Sequence, residues 1–202
     1  MADLILGSTT VMSESSGVIS GIPAAGVTGT LTTGVTFPAG HIVKIHQDID
    51  SAAQSRTVAT HAWIDSNLSI TFTPVSENSR FIIQGQWAER GSSNGSAMRI
   101  VRVGATEPSS GSTLIADTSG SNRKRATVKY SYEGQDAQQT IPICYCCYDD
   151  PNTASEITYK LQSATEGTAS YVNRNESFSD SAGSYSYQAV EISTMIIFEI
   201  SS

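Results

Sequence analysis

Three histidines, three clustered cysteines and scattered pairs of carboxylates are the residues on which this chain could build chemistry. Nucleophilic catalysis needs a base beside a Ser or Cys. The only histidines, His41, His46 and His61, lie in the first third of the chain, and no Gly-x-Ser-x-Gly elbow occurs. His41 and His46 are an odd number of residues apart, so on a flat strand they point to opposite faces, poor geometry for a shared metal, which leaves one His per subunit on a trimer axis as the alternative. In Cys144-Tyr-Cys146-Cys147 the first and third residues share a strand face and Cys147 points away. No second Cys or His pair stands at zinc-finger spacing, and cysteine packs readily as a small hydrophobe, so the cluster reads as part of a core strand. Paired carboxylates could hydrolyse glycans. Asp149-Asp150 runs into Pro151-Asn152 and reads as a turn, while Asp117, Glu133, Asp136 and Asp180 stand singly in loops. The residues thus assign no catalytic group, no metal and no cofactor.

Two other groups suit binding. Arg123-Lys-Arg125 lies beside a Ser/Gly/Asn loop and could meet an acidic partner such as a capsid surface or a lipopolysaccharide phosphate. Tyr171, Phe178, Tyr185 and Tyr187 could stack on sugars, with Tyr185 and Tyr187 the chosen contacts. A solvated strand end and a sheet lining are the plainer readings of the same residues.

The elements that must carry these residues are strands. Charged residues make up only 15% of the 202, and Val, Ile, Thr and Tyr outweigh the helix formers. Apolar alternation of period two recurs in Leu68–Thr73, Phe81–Trp87, Ala126–Tyr132, Ile157–Gln162 and Ile192–Ile200. In the last of these, Ile192, Ile196, Phe198 and Ile200 are expected to share the apolar face. Ile42–Gln47, Met98–Val103, Ile141–Tyr148 and Thr168–Asn173 are further candidates, and Ser/Gly/Asn/Asp clusters break the runs. Nine or ten short strands predict an all-β protein of two packed antiparallel sheets, jelly-roll-like, with a closed barrel as the open alternative.

Residues 1–40 differ. Small residues and glycines separate single apolar ones, and no strand or helix period runs through them. Such a segment buries too little apolar surface to offset its ordering entropy alone. It reads as an extended arm ordered by partners, with Leu4, Ile5, Leu6, Val18, Ile19, Ile22, Val27 and Leu31 as anchors, ahead of a β domain at 41–202. A formal charge of −7 opposes nucleic-acid binding. The start lacks a basic, apolar signal sequence, no run approaches a membrane span, and the odd cysteine count fits synthesis in a reducing cytosol.

Several segments resemble virion proteins of phages that infect marine and freshwater bacteria, cyanophages included. The run Val35-Thr-Phe-Pro-Ala-Gly-His-Ile-Val43 resembles their "FPAGHVV". Leu68-Ser-Ile-Thr-Phe-Thr-Pro-Val-Ser-Glu-Asn-Ser79 resembles "ITPSSTSSK" ahead of a hydrophobic strand. Tyr148-Asp-Asp-Pro-Asn-Thr-Ala-Ser-Glu-Ile-Thr-Tyr-Lys-Leu161 is similar to "DSPNTTSATTYKVQ". Tyr171–Asp180 with Thr194–Ile200 is similar to their ending. The resemblance covers roughly residues 35–200 in order. It implies a jelly-roll-like domain, a homotrimer, and attachment to other virion proteins, of capsid or tail, through the N-terminal segment. The function expected is a non-enzymatic bacteriophage structural protein, of tail-fibre, head-fibre or capsid-decoration type, made in the host cytoplasm and carried on the virion. The alternative is a receptor-binding tip that recognises a host-surface glycan through Arg123, Lys124, Arg125, Tyr185 and Tyr187. Neither nucleic acid nor membrane insertion is expected.

Overall fold

The computed structural model describes residues 3–6, 9–15, 18–20, 39–60, 62–91, 95–104, 112–113, 127–131, 140–174 and 191–202. The chain divides into two units, Met1–Thr36 and Phe37–Ser202. In the first, β1 (Asp3–Leu6), β2 (Thr9–Ser15) and β3 (Val18–Ser20) form a small antiparallel meander. In this unit, adjacent backbone pairing supplies the order where side-chain alternation is weak.

The second unit contains β4 (Ile42–Asp50), β5 (Gln54–Thr57), β6 (Ile64–Phe72), β7 (Arg80–Gly91) and β8 (Gly95–Gly104). It continues with β9 (Ser112–Thr113), β10 (Val128–Ser131), β11 (Ile141–Asp149), β12 (Ile157–Thr165), β13 (Ala169–Val172) and β14 (Ser193–Ile200). All pairings are antiparallel. One sheet runs β6-β12-β8-β10, with β9 also on β8; the other contains β4-β14-β7, with β11 on β7. β7 pairs with both β11 and β13 at Glu89, so these two must lie on opposite edges of it. The twelve residues of β7 therefore hold β11 on one edge, while β14 and then β13 share the other, and β5 extends the sheet beyond β13. Leaving aside the short β5, β9 and β13, eight strands pair from the outside in: β4 with β14, β6 with β12, β7 with β11, β8 with β10. That nesting of first with last is the double Greek key of a jelly roll. Among the described residues no strand pairing joins the two sheets, which stack as a sandwich rather than close as a barrel.

Period two determines what the sheets bury. Leu68, Ile70 and Phe72 of β6, Met98 and Ile100 of β8, and Ile157, Tyr159 and Leu161 of β12 turn inward from one sheet. Phe81, Ile83 and Trp87 of β7, Ile143, Tyr145 and Cys147 of β11, and Met195 and Ile197 of β14 meet them from the other. Each large side chain so buried contributes roughly 1.5–3 kcal/mol of transfer free energy. Phe72 packs edge-on against Phe81 at 5.3 Å between ring centres and lies near-parallel to Tyr159 at 6.1 Å.

The last strand keeps Ile196, Phe198 and Ile200 on one face, as expected, but that face is the outer one. The fully buried face of β14 carries Ser193, Met195, Ile197 and Glu199, whereas Ile196, Phe198 and Ile200 turn outward and are only partly covered. Four apolar residues in succession, Met195–Phe198, make parity ambiguous, and inner partners across the sandwich select Met195 and Ile197 for the core.

Candidate interaction faces

A sandwich exposes two outer faces, and here they differ in kind. On the β6-β12-β8 sheet the outward side chains are polar and engaged with one another. Thr71 and Thr158 share a hydrogen bond of 2.8 Å, Lys160 Nζ lies 2.9 Å from Asp65 Oδ2, and Gln162 Nε2 donates to Asp65 Oδ1 at 2.7 Å. Arg99 Nε donates to Gln162 at 2.8 Å, and its guanidinium stands 4.4 Å from the Trp63 ring centre. Burial works to raise the Asp65 carboxyl, but the Lys160 and Gln162 hydrogen bonds and the Lys160 and Arg99 charges outweigh it and hold it below the usual carboxylate value. This is an ordinary solvated face.

The outer face of the β4-β14-β7-β11 sheet is apolar. Strand register sets Ile45, Phe198, Ile82 and Tyr148 side by side across four strands. The next row is Gln47, Ile196, Gln84 and Cys146, and the next is Ile49, Thr194, Gln86 and Cys144. Ile42, Ile200 and Arg80 complete it. Ile45 is 59% exposed, Ile42 and Ile49 are each 53% exposed, and Tyr148 is 51% exposed, so these are not core residues. The charged groups at its margin, Arg80 and Asp150, oppose one another at 3.8 Å. Lys44 and Asp48 alternate with Ile45 and Ile49 and so fall on the other side, where Asp48 Oδ2 accepts from Ser69 N at 2.8 Å.

Between the sheets, polar groups knit the roll. Glu89, 1% exposed, accepts from Trp87 Nε1 at 3.0 Å and Ser163 Oγ at 3.0 Å and is paired with Arg56. Arg56 also donates to Ser163 Oγ at 2.9 Å and Ser170 Oγ at 3.2 Å, and its guanidinium lies 5.7 Å from the Trp87 ring centre. Asp149 accepts from the Tyr159 hydroxyl at 2.6 Å and faces Arg102 Nε at 3.3 Å. Burial, the Asp149 charge and the Asp149 hydrogen bond push the Tyr159 hydroxyl well above the ordinary tyrosine value. Asn173, in the left-handed region at φ 54, donates through Nδ2 to the carbonyls of Asp50 and Ala52 and accepts from Ser193 Oγ at 2.6 Å. An Asn side chain tolerates that backbone because it can bond locally.

His46 stacks on Phe72 at 3.9 Å between ring centres, with Nε2 3.6 Å from the buried Glu199 carboxylate, which itself accepts from Val75 N at 2.5 Å. Desolvation first and the Lys44 charge second lower its pKa below 6.5, outweighing the Glu199 hydrogen bond and charge. The unfolded imidazole takes its proton up near 6.5, while the folded one resists it. Stability therefore falls as pH drops through 6.5 towards the lower folded value. Urea melts at about pH 7.5 and about pH 5.5 are expected to differ more for the wild type than for His46→Gln. Equal differences would show that His46 carries none of the acid sensitivity.

The cysteines split as their parity requires. Cys144 and Cys146 are exposed on the apolar outer face, and Cys147 is in the core. Burial, with Cys146 and Asp149 adding to it, pushes the Cys147 thiol up to about 12, so it stays protonated and unreactive at neutral pH. Reading the whole cluster as core thus holds for one cysteine of three. Asp149 and Asp150 do not converge: one is bound to Tyr159 and Arg102, the other lies near Arg80. Among the described residues, no three His, Cys, Asp or Glu side chains are grouped to hold a metal ion. Arg123, Lys124, Arg125, Tyr185, Tyr187, Phe178, His61, Asp117, Glu133, Asp136 and Asp180 lie outside the described residues. So do Ile22, Val27 and Leu31, while Leu4, Ile5 and Leu6 fall in β1 and Val18 and Ile19 in β3, with backbone alone described. The apolar outer face was not singled out by sequence, although Ile42, Ile45 and Ile49 alternating with Lys44 and Asp48 were there to suggest it.

No known protein family and no curated protein matches the chain. Among solved structures it is similar to T=1 particles derived from infectious bursal virus, with 13% identity and a TM-score of 0.38 over 90% of this chain and 41% of that one. It is also similar to the Gt strain of infectious bursal disease virus, with 14% identity and a TM-score of 0.41 over 90% of this chain and 43% of that one. The chain spans less than half the length of either. The jelly roll is established by the strand order itself.

Proposed function

We propose that this protein is a non-enzymatic structural component of a bacteriophage particle, a homotrimeric fibre-type or capsid-decoration protein attached through residues 1–40. The observation that carries the reading is the pairing of a jelly-roll sandwich with one solvated outer face and one apolar, nearly charge-free outer face. Monomeric proteins rarely leave a contiguous apolar patch uncovered, and such a patch marks an assembly surface. The ordered resemblance of residues 35–200 to phage virion proteins supplies the setting. The chemistry of the site agrees with a scaffold: Glu89 and Asp149 are hydrogen-bonded to Trp87 and Tyr159 in the core, and the Cys147 thiol is held protonated. Attachment falls to the N-terminal unit, whose scattered apolar residues gain area only against a partner.

The test is particle incorporation. Removing residues 1–34 is expected to leave a folded sandwich that no longer joins virions, reducing its copy number at least about tenfold, since several arm anchors act together. Undiminished incorporation of the truncated protein would refute attachment through the arm.

A further inference from the structure

The apolar outer face identifies an occupant by what it lacks as well as by what it carries. Each copy of the chain has a formal charge of −7, so two copies repel wherever acidic surfaces approach. The four rows from Ile42 to Cys144 carry charge only at the Arg80–Asp150 corner, where the two signs oppose each other. This face is where two acidic copies can meet without like charges being buried. Its size also fits. Four strands about 4.8 Å apart and about 24 Å long cover roughly 450 Å², near the roughly 500 Å² per side that a specific interface requires, before side-chain relief is counted.

We infer that the outer face of the β4-β14-β7-β11 sheet is the surface through which copies of this chain pack on one another, with Ile45, Ile49, Phe198 and Tyr148 as its anchors. The inference rests on the homo-oligomeric reading above and adds the face that makes the contact. Phe198 and Ile82 form the centre of the row with Ile45 beside them, and an aromatic anchor beside branched aliphatics is the composition of an interface core. Gln47, Gln84 and Gln86 lie among these side chains as neutral hydrogen-bonding groups, whose desolvation costs less than that of charges.

The experiment uses the full chain. Light scattering coupled to size exclusion gives the mass of the wild type, of Ile45→Lys/Ile49→Lys, and of Thr71→Lys as a control on the polar face. Reaction with a maleimide-PEG counts accessible thiols, since Cys144 and Cys146 lie on the face and are exposed in the protomer. The expected result is an oligomeric wild type with both thiols protected, and an oligomeric control. The double variant is expected to be monomeric, with an unchanged far-UV spectrum, two reactive thiols and self-association weakened at least about 100-fold. An oligomeric wild type whose two thiols react freely overturns this face while leaving the homo-oligomer standing; that readout needs no variant to fold. A double variant that remains oligomeric does the same. A wild type that is monomeric at about 100 μM, a concentration at which a micromolar complex would be saturated, overturns both the face and the homotrimer, and points the face towards a different virion protein.

Discussion

Arg56→Met is expected to lower stability by about 3–5 kcal/mol, because it takes from the buried Glu89 carboxylate the guanidinium paired with it. Glu89 is 1% exposed, and Trp87 Nε1 and Ser163 Oγ, which also bond to it, are neutral donors that do not replace the guanidinium charge. A domain of this kind has about 5–15 kcal/mol in all, so the variant stands near the edge of unfolding, with a melting temperature lower by roughly 10–15 °C. The same reasoning makes the effect reversible. Glu89→Gln keeps an oxygen to accept from Trp87 and removes the charge, so Arg56→Met/Glu89→Gln is expected to recover at least about 2 kcal/mol of the loss. Thermal and urea melts of the four proteins complete the cycle. Additive effects, with no coupling, would mean that Arg56 and Glu89 do not act as a unit.

Gly85→Ala is the second large effect. Gly85 lies in the middle of β7, between Met195 of β14 and Tyr145 of β11. An added Cβ would stand 2.0 Å from the Thr194 carbonyl oxygen and 2.8 Å from the Tyr145 hydroxyl. The backbone oxygen cannot yield without parting β14 from β7. The tyrosine hydroxyl donates to that same oxygen at 2.8 Å, so moving it breaks a partly buried bond. Overpacking and the lost hydrogen bond together are expected to cost about 3 kcal/mol. A Tyr145→Phe variant, losing the bond without the clash, should cost only about 1 kcal/mol. Urea midpoints measure both. If Gly85→Ala melts like the wild type, the close approach of the two backbones is wrong.

Period two made much of this architecture legible. Leu68, Ile70 and Phe72 alternate strictly with Ser69, Thr71 and Thr73, and one face of that strand is buried as alternation requires. Where every residue is apolar, as in Met195–Phe198, the pattern carries no parity, and only the opposing sheet decides which side chains are inner. The candidate face was hidden for the same reason. An apolar residue reads as core, and nothing local marks Phe198 as outward-facing, whereas the charges flanking Ile45 and Ile49 were the one local hint. Arg56, Glu89 and Asn173 were invisible because their significance comes from partners such as Ser163, Asp50 and Ser193, which lie far along the chain. The cysteines were partly legible: spacing correctly separated Cys147 from its neighbours, but not which side was inner.

The nested pairing of strands has a consequence in time. β8 and β10 are close in the chain, whereas β4 must wait for β14, some 150 residues later, and the backbone bonds Gly40 N to Ser201 O and Ser201 N to His41 O close the roll. Loop-closure entropy therefore orders the folding from the middle outward, and β14, the strand that joins β4 to β7, is synthesised long after both. A nascent chain that has not yet passed Ile200 holds β4 and β7 with no strand between them, two sticky edges that a neighbouring nascent chain could satisfy wrongly. Folding on the scale of about milliseconds to seconds after β14 emerges is what this topology prescribes, so the cell must keep growing chains apart until that moment.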